Sequence, residues 1–334
     1  MEILVTQINH VKSKIENVKK DAMLQNNSQK YAAKLKGFLF WLLKFCIIIG
    51  ICYIILGPII IMISNSFFTA DDLYNPVVFL IPEEGTLQNY IISFQRMAYV
   101  KTLMHTLVYV ITLTLIQLLI CSMTGYGFAR FDFPLKKILF GCVIITIVMP
   151  AHTIMLPLYM TFRDFDIFGM IKLITGSPIN MLGTRLPMYI MTALGVGLRS
   201  GLYIYIFNQF FRGLPKEIEE AAFVDGAGPW YTYFRIMLVN AVPSILTVTV
   251  FSVVWQYNDI FYAKLFSINS NYLISMKVSS LRAAIEFLDE IKDTGLTQIY
   301  VYAGVILALI PVVIIYVLLQ KHFIEGVERS GIVG

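Results

Sequence analysis

The sequence has few charged residues, and this shortage bears on the solvent in which the chain folds. Charged residues make up 14% of the 334 residues, and hydrophobic residues make up 57%. An ordinary soluble domain is about 25% charged, so a soluble fold of this composition would lack polar surface. The bilayer is therefore the expected environment. The basic residues form no stripe interleaved with aromatics, which argues against a nucleic-acid partner.

Motifs for catalysis and nucleotide binding are also missing. There is no Gly-Lys pair, so a Walker A phosphate loop cannot form and the chain is not expected to bind ATP itself. HExxH and GxSxG are absent, and no pair of carboxylates stands out as catalytic. The four cysteines lie in apolar runs without a Cys-x-x-Cys pair, which favours small hydrophobic side chains over a metal or redox site. We expect a non-enzymatic chain that binds neither metal nor cofactor.

Long apolar segments are what the sequence does contain. A helix needs about 20 apolar residues to cross the hydrocarbon core. Six segments reach roughly that length, at residues 38–63, 103–126, 138–159, 188–207, 236–254 and 299–319. They are much longer than the alternating strands of a β-barrel, and helices satisfy their own backbone hydrogen bonds in lipid. The predicted fold is an all-α integral membrane protein with six transmembrane helices.

Lys and Arg placement predicts the orientation of these spans. Residues 1–37 are polar and carry seven lysines, and the apolar run that follows is too long for a signal peptide. With the N-terminus inside, the inner segments carry more Lys and Arg than the outer ones. We therefore predict a cytoplasmic extension at residues 1–37, an uncleaved first span, a six-span domain at residues 38–334, and both termini in the cytoplasm.

The segment between the fourth and fifth predicted spans has the pattern of a short helix, a sharp turn and a second helix. Residues 213–230 read GLPKEIEEAAFVDGAGPW. Pro215 suits the first helical position, the acidic residues after it suit a helix N-terminus, and Gly226 suits a left-handed closing residue. Ala221 and Ala222 share one face with an isoleucine by helical spacing. These residues alone leave two interpretations open, an ordinary connection and a contact surface for a partner.

The same segment carries a specific spacing. The run Glu220-Ala221-Ala222 is followed after three residues by Gly226, and after nine more by Ile236-x-Leu238. In this respect the chain resembles the permease subunits of ATP-binding-cassette (ABC) importers, which share this pattern as the EAA motif. The resemblance implies that the short helix docks on a separate ATPase, which would hold the ATP and Mg²⁺.

The resemblance extends from about residue 38 to the C-terminus. It is greatest for the carbohydrate-uptake branch, and within it for maltose-transporter G-type permeases. One departure is Val239, where the family usually has proline. The resemblance implies a bacterial cell-membrane location and four kinds of partner: a second permease, an ATPase dimer, an extracytoplasmic solute-binding protein and membrane lipid. It places the ATPase-coupling residues at Glu219, Glu220, Ala221, Ala222, Asp225 and Gly226.

Three residues are candidates for the substrate path. Arg199 is a charge inside the fourth predicted span, and such a charge is a functional candidate by default. It could face the pore, pair with a partner subunit or mark a break in the helix. Trp255 and Asn258 lie at the outer end of the fifth predicted span. Aromatics there are common interface anchors, and sugars also stack on aromatic rings.

Two alternative functions remain open from the sequence. An ion-coupled secondary transporter usually shows internal repeats and intramembrane acids; the predicted spans contain neither Asp nor Glu, and no repeat is apparent. An ABC importer for a non-sugar solute would share every feature described above. Pro150 and Pro157 further predict a kink in the third span.

Overall fold

A computed structural model describes residues 2–269, 271–289, 291 and 293–331, with side chains described for residues 34–318 and 320 of these ranges. This part of the chain is helical and forms no β-strand, apart from one antiparallel bridge between Phe165 and Ile179. The prediction of an all-α fold is confirmed. The chain divides into two units, Met1–Met62 and Ile63–Gly334. The first consists of most of the N-terminal helix, and the second contains the features described below.

The helices are numbered in the order in which they follow one another along the chain. They are α1 (Glu2–Asn65), α2 (Ala70–Tyr74), α3 (Gln88–Arg96), α4 (Tyr99–Arg130), α5 (Lys136–Val148), α6 (Met155–Arg163), α7 (Met170–Thr175), α8 (Leu186–Ala193), α9 (Ser200–Gly213), α10 (Glu217–Val224), α11 (Pro229–Tyr231), α12 (Leu238–Asn240), α13 (Val242–Tyr257), α14 (Phe261–Leu265), α15 (Ile274–Leu288) and α16 (Thr294–Gly331). A 3₁₀ turn precedes α6 at Ala151–Ile154, and a π-helical turn joins α11 to α12 at Thr232–Met237.

Within the described residues, three helices are long and apolar enough to cross a bilayer, at Lys34–Asn65, Tyr99–Arg130 and Thr294–Leu318. Two bent pairs raise the number to five if each pair is one span. The pair α5 and Ala151–Arg163 bends by 105° around Pro150, and the pair Pro229–Asn240 and α13 bends by 75°. The kink predicted for the third span therefore lies at Pro150, because the fixed φ and missing N–H of proline interrupt the helix there.

The fourth predicted span, residues 188–207, is not one helix. α8 ends at Ala193 and α9 begins at Ser200. Between them Gly195 has φ +74° and Arg199 has φ +60°, so the chain leaves the right-handed helical region twice. The predicted span is interrupted here because glycine is a poor helix former and readily takes positive φ. The interpretation of Arg199 as the mark of a helix break agrees with the structure.

Two clusters of buried apolar side chains hold the second unit together. One lies between the first half of α4, α8, α14 and α15, and includes Tyr109, Leu113 and Met188. The other lies between the second half of α4, α9 and the residues around the π-helical turn, and includes Tyr203, Phe207 and Phe211. α4 and α13 take part in both clusters, so these two helices connect them.

α4 and α9 cross at very short range where Gly125 faces Phe207. A Cβ placed on Gly125 would lie 2.6 Å from Phe207 Cβ and 3.0 Å from both the Asn208 backbone N and the Ile204 carbonyl O. Two of these neighbours are backbone atoms, which cannot move aside independently. The Asn208 side chain also donates to the Gly125 carbonyl at 3.3 Å. Small residues allow this close approach between membrane helices.

We expect Gly125→Leu to push α4 and α9 apart and to lower the free energy of unfolding by about 1–3 kcal/mol. The measurement is the thermal midpoint of the detergent-solubilised protein. Gly127→Leu is the matched control, because a Cβ at Gly127 meets nothing within 4 Å. Equal stability of the two variants would show that the crossing is not tightly packed.

Candidate functional site

The loop between α9 and α11 contains the predicted short helix. It forms as α10, Glu217–Val224, with Lys216 in the position before the first helical residue. Pro215 therefore lies just outside the helix instead of at its first position, a shift within the usual uncertainty of helix ends. Glu217, Glu219 and Glu220 occupy the first turn. Negative charge is favourable there because the unpaired N–H groups give this end partial positive charge.

Gly226 closes α10 as the sequence predicts. Its φ is +84°, in the left-handed region. Its N–H donates to the Phe223 carbonyl at 3.0 Å, and the next N–H, from Ala227, donates to the Ala222 carbonyl at 2.9 Å. A Cβ at this position would meet nothing within 4 Å. Glycine is therefore favoured at position 226 because the φ angle is positive, and not because neighbouring atoms exclude a side chain.

The predicted coupling residues divide between two faces of the loop. Glu219 and Ala222 are 7% and 5% exposed, so they face the rest of the second unit. The outward residues are Glu220, Ala221, Asp225 and Gly226. Phe223 and Val224, which the sequence did not single out, add exposed apolar surface of 47% and 86% beside them. The exposed surface is thus a mixed acidic and apolar one, and Ala222 belongs to the packing face instead.

Arg130 is a functional candidate that the sequence reasoning missed. It is the last residue of α4, and its Nε lies 3.0 Å from Oε2 of Glu219. Its Nη2 also donates to the Leu214 carbonyl at 2.9 Å. The two charged side chains are only 6% and 10% exposed. No local spacing relates the two positions, so this ion pair is visible only once α4 and α10 are folded together.

At the break between α8 and α9, the structure brings together two of the three predicted substrate-path residues. The Arg199 guanidinium lies over the Trp255 ring, with Cζ 4.3 Å from the ring centroid. Arg199 is exposed, and Trp255 is 43% exposed. Asn258 is also exposed, but its side chain donates to the Val254 carbonyl at 2.9 Å and so closes the end of α13. The arrangement presents a cation and an aromatic face side by side.

A buried polar network holds this break. Gln117 of α4 donates to the Leu198 carbonyl at 2.6 Å and to Ser200 Oγ at 3.1 Å. Its own amide oxygen accepts from Ser252 at 2.7 Å and from Gln256 at 3.4 Å. The network therefore fixes the backbone next to Arg199 from both α4 and α13. Single polar residues inside the predicted spans thus act here as hydrogen-bond partners between helices.

Asp259 follows the end of α13 and carries a carboxyl with a perturbed pKa. Burial raises the pKa of the Asp259 carboxyl to about 6, although N–H groups of Tyr262, Ala263 and Phe261 oppose the shift. The Tyr262 N–H lies 3.2 Å from Oδ1. Because these donors belong to the first turn of α14, the carboxylate serves to start that helix.

Comparison with known sequences identifies the family to which this chain is similar. A family profile described as "binding-protein-dependent transport system inner membrane component" matches residues 117–329. An arabinooligosaccharides transport system permease protein of Halalkalibacterium halodurans is 27% identical over 307 residues, which cover 90% of this chain and 99% of that protein. A diacetylchitobiose uptake system permease protein of Streptomyces coelicolor is 23% identical over 278 residues, covering 83% and 84%.

Comparison with solved structures identifies a chain of similar fold. A crystal structure of a bacterial ABC transporter that imports the acidic polysaccharide alginate contains a chain similar to this one, with a TM-score of 0.67. The match covers 85% of this chain and 96% of that chain at 19% identity. At this identity the likeness concerns the fold of the described helices.

Proposed function

Because the chain belongs to the family of binding-protein-dependent transport system inner membrane components, we propose that it is a permease subunit of an ATP-driven ABC importer for carbohydrates. The family and the apolar helices make it an all-α, multi-pass membrane permease. The observation that carries the proposal is the family match over residues 117–329, which spans α9, α10 and the bent pair ending in α13.

A sugar, and more narrowly an oligosaccharide, is the proposed solute. Relatives named for arabinooligosaccharides and for diacetylchitobiose each align with more than four fifths of this chain. A relative named for trehalose transport, from Mycobacterium tuberculosis, is 25% identical over 261 residues. The alternative is a non-sugar solute carried by the same architecture. Measured uptake of different solutes would identify the solute.

We assign α10 the role of the coupling helix that contacts the ATPase. Three features of the loop support this assignment. α10 presents Glu220 and Ala221 outward, Val224 adds an apolar contact of the kind that a protein groove covers, and Gly226 fixes the turn that follows. ATP and Mg²⁺ would be held by the ATPase, since this chain has no phosphate loop.

The proposed topology has six spans with both termini and α10 in the cytoplasm. Three long helices and two bent pairs supply five spans. The broken segment α8–α9 supplies the sixth, since irregular backbone at membrane depth is tolerated where protein or water surrounds it. The excess of Lys and Arg on the proposed inner side supports this orientation.

Arg199 and Trp255 are the proposed contacts on the solute path. An exposed cation in a membrane span avoids the lipid face, because an unpaired charge in hydrocarbon is costly. Arg199 would therefore face a second permease subunit or the water-filled path between the two subunits. Sugars suit an aromatic face and a hydrogen-bond donor placed side by side, so we favour the path.

Reconstitution tests the proposal against an ion-coupled transporter. The chain is placed in proteoliposomes with the second permease, ATPase and binding protein from neighbouring genes. Uptake of labelled arabino-oligosaccharide, diacetylchitobiose and an amino acid is then measured. We expect sugar uptake that requires ATP and the binding protein and survives a protonophore. Uptake by the permease alone that a protonophore abolishes would contradict the ABC assignment. Uptake of the amino acid alone would contradict the sugar assignment.

A further inference from the structure

We propose that the buried Arg130–Glu219 pair is the joint through which α10 moves the α4–α9 helix pair. Neither residue would touch the ATPase or the solute, so both are positioning residues. The inference rests on the proposed function of α10 as the coupling helix. It adds the route by which a displacement of α10 would reach the membrane-embedded helices.

The two neighbouring glutamates of α10 point in opposite directions. Glu220 is exposed, whereas Glu219 is buried and lies against Arg130 with Nε and Oε2 3.0 Å apart. A displacement of the exposed Glu220 face would therefore also displace Glu219, which belongs to the same eight-residue helix and contacts Arg130. Arg130 thus links this face of α10 to the end of α4.

Arg130 holds the loop at a second point. Its Nη2 donates to the Leu214 carbonyl at 2.9 Å, in the linker between α9 and α10. One guanidinium thus fixes both α10 and the backbone that leads into it. The planar, branched guanidinium can contact two groups in set directions, which a lysine ammonium cannot do with the same geometry. Apolar contacts such as those of Ala222 fix no direction, because the hydrophobic effect is non-directional.

The helices beyond the joint are built to move together. α4 and α9 cross at Gly125 with no room for a Cβ, and Asn208 donates across the crossing. Close-packed interiors deform little and transmit displacement. Farther along the same helix, Gln117 holds Leu198 and Ser200, at the start of α9. The α4–α9 pair therefore connects the joint to the break that carries Arg199.

The chemistry of the pair favours a positioning role over a purely stabilising one. Burying two charges is costly, and replacing a buried ion pair by apolar residues is often neutral for stability. Only part of the hydrogen-bonding capacity is used here, because Arg130 Nε and Glu219 Oε1 have no hydrogen-bond partner among the described residues. The 3.0 Å contact of Nε with Oε2 is therefore an ion pair without hydrogen-bond alignment. A pair with this cost is explained by the connection that it makes between α10 and the end of α4.

The test measures coupling and assembly separately in the reconstituted importer. The variants are Arg130→Gln, Glu219→Gln and the double variant, and the readouts are ATPase co-purified with the permease and ATP hydrolysed per sugar imported. We expect ATP hydrolysed per sugar to rise about tenfold in each variant that assembles. The double variant should show a similar rise and not the product of the two single effects, because the two residues act as one unit.

Lys136→Gln is the matched control. Lys136 forms an ion pair with Asp132 at 3.1 Å near the same end of α4, but Asp132 is 99% exposed. We expect normal coupling in this variant. A ratio within about twofold of wild type in Arg130→Gln or Glu219→Gln would overturn the proposal.

The double variant removes both charges and so leaves no unpaired buried charge. It therefore distinguishes a loss of coupling from misfolding of the single variants. If all three pair variants fail to assemble while Lys136→Gln assembles, the pair has a folding role and the proposal is overturned. A wild-type permease that recruits no ATPase contradicts the proposed function and this inference together. Normal wild-type coupling with an unchanged ratio in the variants contradicts this inference alone.

Discussion

Gly226→Pro is expected to abolish uptake while the permease still reaches the membrane. Proline fixes φ near −65°, whereas the turn after α10 requires φ +84° at this position. The substitution also removes the N–H that donates to the Phe223 carbonyl at 3.0 Å. The turn must therefore rearrange, and the Glu220 face would lose the orientation that docking needs. The measurement is ATP-dependent uptake together with the amount of ATPase that co-purifies.

Gly228→Ala is the control for this loop. Gly228 has φ −76°, which any residue adopts, and a Cβ there meets nothing within 4 Å. We expect near-normal uptake for Gly228→Ala and no uptake above background for Gly226→Pro. Glu220→Arg should give the same loss with an unaltered backbone, because it reverses one outward charge. Unimpaired uptake in Gly226→Pro and Glu220→Arg would remove the loop from the coupling mechanism.

The turn at Gly226 was predictable because its causes are local. A helix that ends on a glycine two residues before a Gly-Pro pair is encoded within a few residues. The sequence predicted less well which residues of α10 are buried and which are exposed. Helical spacing predicts that Ala221 and Ala222 share a face with Ile218, but Ala222 is buried and Ala221 is exposed, which depends on tertiary packing.

The features that escaped prediction depend on contacts between distant parts of the chain. Arg130 reads in the sequence as one basic residue at the end of a span, and only the crossing of α4 with α9 brings it to Glu219. The break at residues 194–199 had a local signal in its glycines. Hydropathy nevertheless favoured one continuous span, because the side chains around the break are apolar. Gln117, which holds the broken backbone, comes from a different helix.

Arg199→Ala is expected to lower sugar uptake about tenfold, by removing the cation over Trp255. Such an interaction contributes about 0.5–2 kcal/mol. Arg199→Gly distinguishes the contribution of the side chain to uptake from that of the backbone conformation. Arg199 sits at φ +60°, which alanine tolerates no better than arginine but glycine adopts without strain. If the guanidinium matters, Arg199→Ala and Arg199→Gly should be equally impaired. Recovery of uptake in Arg199→Gly would show that the guanidinium is not required once the backbone strain is relieved.

Two further comparisons separate contact with the solute from contact with a partner subunit. A residue on the path changes the dependence of uptake rate on sugar concentration, whereas a residue that pairs with the second permease changes the amount of that subunit which co-purifies. Arg185→Ala is the matched control, because Arg185 also lies over an aromatic ring, at 5.0 Å from the Tyr272 centroid, but outside the break. Normal uptake and normal assembly in Arg199→Ala would remove Arg199 from both roles. The break would then be a feature of helix packing held by Gln117 alone.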